Sequence, residues 1–242
     1  MKKFTSLYSF IMIVSIWWLL ALMDTRNIIP TPIMTFSYLE IHLTTILLHL
    51  FFSLWRISLA IISTLILGST IGILSARIGT VDKVVTPLLY ALYPIPKIAF
   101  LPLLMLFFGL GNLSKILLVG LILFFQIAIA VRDSVKNIPE GYFMSLRIYK
   151  ATPWQRYRHI ILPALLPQLF TAIRVSVGTS ISVLFFAENY ATTHGIGYYI
   201  MDSWLKLNYT AMFSGIVAIS LMGTLIFAFI DYLESHFCRW LP

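Results

Sequence analysis

The residues of this 242-residue chain that could do chemistry fall into three groups. In the first, Arg156, Arg158 and His159 stand among Trp154 and Tyr157 in the stretch ATPWQRYRHIILPALLP, with Met144, Ser145, Leu146, Arg147, Lys150 and Ala151 just upstream. Cations mixed with aromatics can lie on anionic headgroups, or they can fill a groove on a soluble protein. The second group is Pro94, Pro96 and Lys97, inside an apolar run. Each proline removes an intrahelical hydrogen bond, which at membrane depth is tolerated where protein or a water-filled cavity supplies partners. Lys97 can snorkel to an interface or attract an anion. The third is a pair of isolated charges, Arg174 and Glu188. A charge in an apolar span is expensive and faces a cavity or a partner. Fourteen residues of helix put these two roughly 21 Å apart, so they cannot pair within one helix. Glu188 is expected near Tyr190 and the Gly195-Ile196-Gly197 turn, and Arg174 against another span or a bound anion.

Several chemistries lack their residues. There is no GxxxxGK[ST] loop to cradle ATP phosphates and no GxSxG turn. The nine acidic residues are scattered, with no close pair for hydrolysis. His42 and His49 have no third ligand beside them, and the single Cys238 excludes both an intrachain disulfide and a cysteine-based metal cluster. No cofactor or metal is expected in the chain. Asn208-Tyr209-Thr210 is a glycosylation sequon by pattern, read here as chance.

The elements that must position these residues are membrane helices. The chain is 60% hydrophobic and 11% charged, with a mean hydropathy of +0.92, too apolar to cover a soluble surface. Its net charge of +8 is assigned to cytoplasmic loops rather than to nucleic acid. A bilayer core about 30 Å thick needs roughly 20 helical residues. Six stretches qualify: about 6–23, 53–74, 84–110 (interrupted by prolines), 113–131, 165–187 and 211–233. The first is read as a retained anchor, and 24–52 as a mildly amphipathic external segment. Lys2, Lys3, Arg77, Lys83, the cluster Arg132 to Arg158 and Arg239 lie on one side; Arg26, Arg56, Lys115 and Lys206 lie on the other. The imbalance places both termini in the cytoplasm. The connection 132–163 is then the only internal loop large enough to interact with another molecule, within a single all-α membrane domain of 242 residues.

Within that loop, Pro139 and Glu140 open a short helix that stops near Lys150. Thr152-Pro153-Trp154-Gln155 reads as a second start, with Thr as N-cap, Pro first and Gln third in a capping box. Leu162-Pro163 and Leu166-Pro167 mark the start of the fifth span. A merely solvated loop would not need this capped design.

The loop resembles the cytoplasmic signature of permease subunits of binding-protein-dependent ATP-binding-cassette importers: Glu-Ala-Ala, three residues, Gly, nine residues, Ile-x-Leu-Pro. Ile160, Ile161, Leu162 and Pro163 match its end, whereas the glycine falls on Lys150 and Glu-Ala-Ala on Met144, Ser145 and Leu146. Without Gly, the turn must hold Lys150 or its neighbour in a conformation costing on the order of 1 kcal/mol if the left-handed region is needed. The chain is similar to the nitrate, sulfonate, taurine and bicarbonate branch in SLWRISLA (53–60), YPIPKIAFLPLLMLFFGLGNLSKI (93–116) and FFAENYATTHGIGYYI (185–200). The resemblance implies a type I importer fold with a two-helix coupling loop, in which 145–154 fits a cleft on an ATPase. It implies two cytoplasmic ATPases holding ATP and magnesium, a second permease subunit (the same chain or a different one), an external solute-binding protein, and a small anion or a related compound such as a thiamine precursor as solute. A membrane enzyme acting on lipid head groups would need a catalytic cluster, and a passive channel would not need the docking loop.

Overall fold

Long apolar runs without a breaker become helices in a bilayer, because only an element that satisfies its own backbone survives there. The computed structural model describes residues 2–148 and 150–240, leaving the side chains of 2–7, 9, 10 and 146–148 outside the described set. Every regular element among the described residues is helical: α1 (Lys2–Met23), α2 (Pro32–Ile41), α3 (Leu43–Arg77), α4 (Gly79–Leu92), α5 (Leu101–Phe108), α6 (Asn112–Lys136), α7 (Glu140–Ile148), α8 (Pro153–Arg156), α9 (Leu162–Glu188), α10 (Ile196–Leu205) and α11 (Tyr209–Phe237). Helices α3, α6, α11 and the continuous run Pro153–Glu188 are each long and apolar enough to cross a membrane. The all-α polytopic fold expected from the sequence is the fold observed.

The boundaries differ from expectation in three places. α3 starts at Leu43 rather than near residue 53, because LTTILLHLFF offers no Gly or Pro to stop a helix, so much of the supposed external segment is helical. The third expected span is not one helix: α4 and the stretch Lys97–Phe108 meet at a bend of 92°. The expected loop 132–163 is shorter, since α6 continues to Lys136 and α8 runs into α9 through a wider turn at Tyr157–Ile161. There Leu162 N–H donates to Tyr157 O. That spacing suits Pro163, which has no N–H for the regular ladder.

The chain divides into two compact units, Met1–Ser53 with Glu188–Met222, and Leu54–Ala187 with Gly223–Pro242. In the first, Trp17 donates its ring N–H to Pro30 O at 3.0 Å and stacks on Phe213. Thr31 and Pro32 start α2 in the manner of the loop's own cap. Asp24 closes the turn after α1 by accepting from the N–H groups of Arg26, Ile28 and Ile29 at 2.9, 2.5 and 2.6 Å. Those bonds, with Ile29's the largest contribution and Arg26's next, hold its carboxyl below the usual carboxylate range. Asn208 accepts from Ala211 N–H and so caps α11, which gives the sequon residue a structural use.

In the second unit, small residues let helices meet closely. A Cβ on Gly72 would lie 2.7 Å from Ala128 O and 2.8 Å from Val131, and one on Gly68 would lie 3.1 Å from Ile127. These glycines, four apart, bring α3 against α6 in the small-xxx-small manner of membrane helices. α9 meets α11 through a core of Phe170, Ile173, Val177, Ile230 and Cys238. Leu89 of α4 packs with Phe125 and Ala128 of α6.

Candidate functional site

The polar connection holds two short helices, the second of them opened by a side-chain cap. Pro139 O accepts from Tyr142 N–H at 3.2 Å as α7 begins, with Glu140 in the first turn. Lys150 adopts φ +50°, the left-handed region. Thr152 then accepts from Gln155 N–H at 3.3 Å while Gln155 Oε1 accepts from Thr152 N–H at 2.8 Å, the reciprocal capping box, with Pro153 at the first position. Arg156 Nε bonds back to Ala151 O at 3.0 Å, and Ala151 is buried. What the turn presents is aromatic and apolar: Trp154 is 65% exposed and Met144 63%, with Trp154 stacked on Tyr157 at 5.5 Å. Ser145 bonds to Gly141 O. The side chains of Leu146 and Arg147 lie outside the described residues. Ile160 sits in the wider turn, and Leu162 and Pro163 open α9.

At the bend, the prolines and Lys97 act together. Pro94 and Pro96 lack the N–H groups that would reach Tyr90 O and Leu92 O in an uninterrupted helix. Lys97 Nζ donates instead to Leu92 O at 2.9 Å and to Tyr93 O, a cation on the carbonyl end of α4 where the helix dipole favours it. The ammonium also lies 4.8 Å from the Phe125 ring centroid and 5.3 Å from that of Tyr93. In this geometry Lys97 caps the break.

Glu188 is fully buried. Ser53 donates to both its carboxylate oxygens at 2.8 and 2.9 Å, and Gly197 N–H donates to Oε2 at 2.8 Å. Ser53 in turn accepts from Ile196 N–H at 2.9 Å, and His49 Nδ1 accepts from Gly195 N–H at 3.1 Å. The N–H groups at the start of α10, which no intrahelical carbonyl can serve, are thus satisfied by side chains from α3 and α9. Gly195 has φ +145°, and a Cβ there would overlap the Glu188 carboxylate. The expected association of Glu188 with the Gly195-Ile196-Gly197 turn is present, while Tyr190 is exposed and takes no part in these bonds. Arg174 does meet another span: it donates to Asp231 at 2.5 Å and Glu234 at 2.5 Å on α11.

The sequence pattern of the family described as "Binding-protein-dependent transport system inner membrane component" matches residues 68–237, which include the bend, the capped turn, Arg174 and Glu188. The chain belongs to this family. It is 30% identical over 232 residues to the putative aliphatic sulfonates transport permease protein SsuC of Bacillus subtilis, covering 94% of this chain and 84% of that one. It is 30% identical to the taurine transport system permease protein TauC of Escherichia coli (79% and 70% covered). It is 28% identical to the formylaminopyrimidine transport permease protein ThiX of Halalkalibacterium halodurans (96% and 93%). The chain is accordingly a permease subunit of an ATP-binding-cassette importer, a membrane transport component and not an enzyme, as the resemblance in its motifs implied.

Four residues at these sites escaped the sequence reading. Ser53 and His49 reach Glu188 and Gly195 from 135 and 146 positions away, and Asp231 and Glu234 reach Arg174 from 57 and 60. No local pattern announces such pairs.

Proposed function

We propose that two permease subunits, identical copies of this chain in the simplest assembly, form the path for a small solute delivered by an external binding protein, and that two cytoplasmic ATPases seat on the turn between α7 and α8. The observation that carries this is the turn itself, in which Lys150 stands at positive φ, a capping box opens α8, and Trp154 and Met144 are exposed. The docking element comprises Met144, Ser145, Leu146, Arg147, Lys150, Thr152, Pro153 and Trp154, with the buried Ala151 supporting it and Ile160, Leu162 and Pro163 leading the motion into α9. ATP and magnesium belong to the ATPases, and this chain holds no cofactor. Coupling is mechanical, since solute and nucleotide occupy different chains and must bias one two-state assembly.

The solute is proposed to be a small anion of the sulfonate or taurine kind, with a pyrimidine precursor as the alternative that the relative ThiX brings in. Pro94, Pro96 and Lys97 shape the path by fixing the bend; Arg174 and Glu188 hold its helices, with Tyr190 beside the outer end. Both termini are assigned to the cytoplasm. Charge supports this more strongly than a simple count does, because two of the four cations on the outer side, Arg56 (2% exposed) and Lys115 (fully buried), sit inside the protein and are not loop charges.

The test is co-purification with an ATP-binding-cassette ATPase. Replacing Leu146 and Trp154 together with Glu is expected to abolish ATPase binding while leaving the permease folded and in the membrane. Undiminished binding and uptake in that variant would refute the docking surface.

A further inference from the structure

Among the described side chains of α7, Phe143 alone is buried, at 4% exposure, while Tyr142, Met144 and Ser145 on either side are exposed. Over its ring lies the guanidinium of Arg77, 4.3 Å from the centroid. Arg77 is the last residue of α3. Among its described side chains, this nine-residue helix is fastened to the body by that one aromatic ring, at the tip of a helix held by Gly68 and Gly72 against α6. The other half of the turn has a different outlet, since α8 runs straight on into α9.

We propose that Phe143, held under Arg77, is the joint through which movement of the docked ATPase passes from α7 into the paired helices α3 and α6. The inference rests on the docking surface proposed above and adds a positioning pair that touches neither solute nor nucleotide. A push on the exposed side of α7 reaches α3 through contacts on its buried side, and among the described side chains Phe143 supplies that contact. Arg77 does two things there. Its charge is favoured at the carbonyl end of α3, and its planar cation is attracted to the ring face, so the ring stays against the α3 tip when α7 is moved. Motion of α3 must carry α6, and α5 packs on α6, so a reporter on α5 reads it.

The experiment uses the complex of permease and ATPase in lipid vesicles. Cys238 is replaced by Ser and a single cysteine is placed at Leu106, an exposed position on α5. The maleimide labelling rate is measured without nucleotide and after trapping with ATP and vanadate. The unaltered joint is expected to change the rate about fivefold or more, as a coupling of ordinary size between two sites does. Phe143→Ala is expected to keep the ATPase bound and hydrolysing while the nucleotide response falls below half of the original. A merely destabilised permease would lose binding and response together. Arg77→Gln, at an exposed position, is expected to reduce the response without loss of folded protein, and Arg77→Lys to restore it.

A response in Phe143→Ala and Arg77→Gln above half of the original overturns the joint and leaves the docking surface standing. So does loss of the ATPase from a folded Phe143→Ala permease, which would make the buried side part of the docking face. An original complex that binds no ATPase overturns both proposals.

Discussion

Replacing Lys150 tests whether the turn between α7 and α8 is strained by its sequence. Lys150 stands at φ +50°, where a side chain bearing Cβ is disfavoured by about 1–2 kcal/mol relative to right-handed backbone. Glycine removes that term but loses about 0.5–1 kcal/mol more backbone freedom on folding than alanine does. The net gain for Lys150→Gly over Lys150→Ala is then about 0.75 kcal/mol at the middle of a range of about 0–1.5, or roughly three- to fourfold in the population of the ordered turn. Comparing Gly with Ala cancels the lost ammonium, which both changes share. Lys150→Val should fall on the other side, because a β-branched residue is a genuine outlier at positive φ. The assay is ATPase affinity of the purified permease in nanodiscs, read by titration, with the thermal midpoint as a control for folding. Affinity should follow the order Gly, then Ala, then Val. An affinity for the Gly variant equal to or below that of Ala, with all variants folded, would refute the reasoning, since the turn would not then be limited by its backbone.

Gly72→Leu should cost at least about 1–3 kcal/mol through overpacking against Ala128 and Val131, seen as loss of monodisperse protein in detergent, whereas Gly68→Ala, whose Cβ meets only Ile127 as closely as 3.1 Å, should be milder. Gly195→Ala places a Cβ on the Glu188 carboxylate and should displace the start of α10, raising protease cutting between 189 and 195; Ser53→Ala should do so less, at about 1.5–3 kcal/mol for a lost bond to a charged group. Lys97→Met should leave the carbonyls of Leu92 and Tyr93 without their ammonium donor and lower uptake, whereas Lys97→Arg should retain part of it; equal uptake in both variants and the original would count against the cap. Asp24 has a depressed pKa, so its contribution to stability is present above the unfolded value near 4 and is lost as pH falls through the lower folded value. The thermal midpoint of the original protein should therefore decline over that acid range by more than that of Asp24→Ala, and parallel curves would contradict the turn's dependence on the carboxylate.

What could be read from the chain beforehand was whatever sequence neighbours decide. The capping box at Thr152 and Gln155 needs only residues three apart, and the left-handed turn at Lys150 was expected because Lys stands at the glycine position of a signature that this chain matches only at its Ile-x-Leu-Pro end. The prolines announced a break near residue 94, but not its 92° angle or the return of Lys97 onto the carbonyl end of α4. The start of α3 was misplaced because 24–52 read as a mildly amphipathic external segment; in the structure His49 of that stretch is buried, accepting from Gly195 N–H. Arg174 and Glu188 were recognisable as charges in need of partners, yet their partners lie on helices distant in the chain, and periodicity carries no information about those. Phe143 left one faint sign, a large aromatic next to Tyr142 in a short helix otherwise led by polar and small residues, and only its burial distinguishes the two rings.

The glycine seam between α3 and α6 limits how a transport cycle can proceed. Gly72 lies so near the Ala128 carbonyl and Val131 that sliding either helix lengthwise by a residue would drive side chains into backbone. These two helices can roll or tilt together as one plank, but shear along their common line is closed to them. Opening and closing of the pathway must therefore be sought at seams lined with flexible side chains, or at the kinked element beside this pair, and not within it.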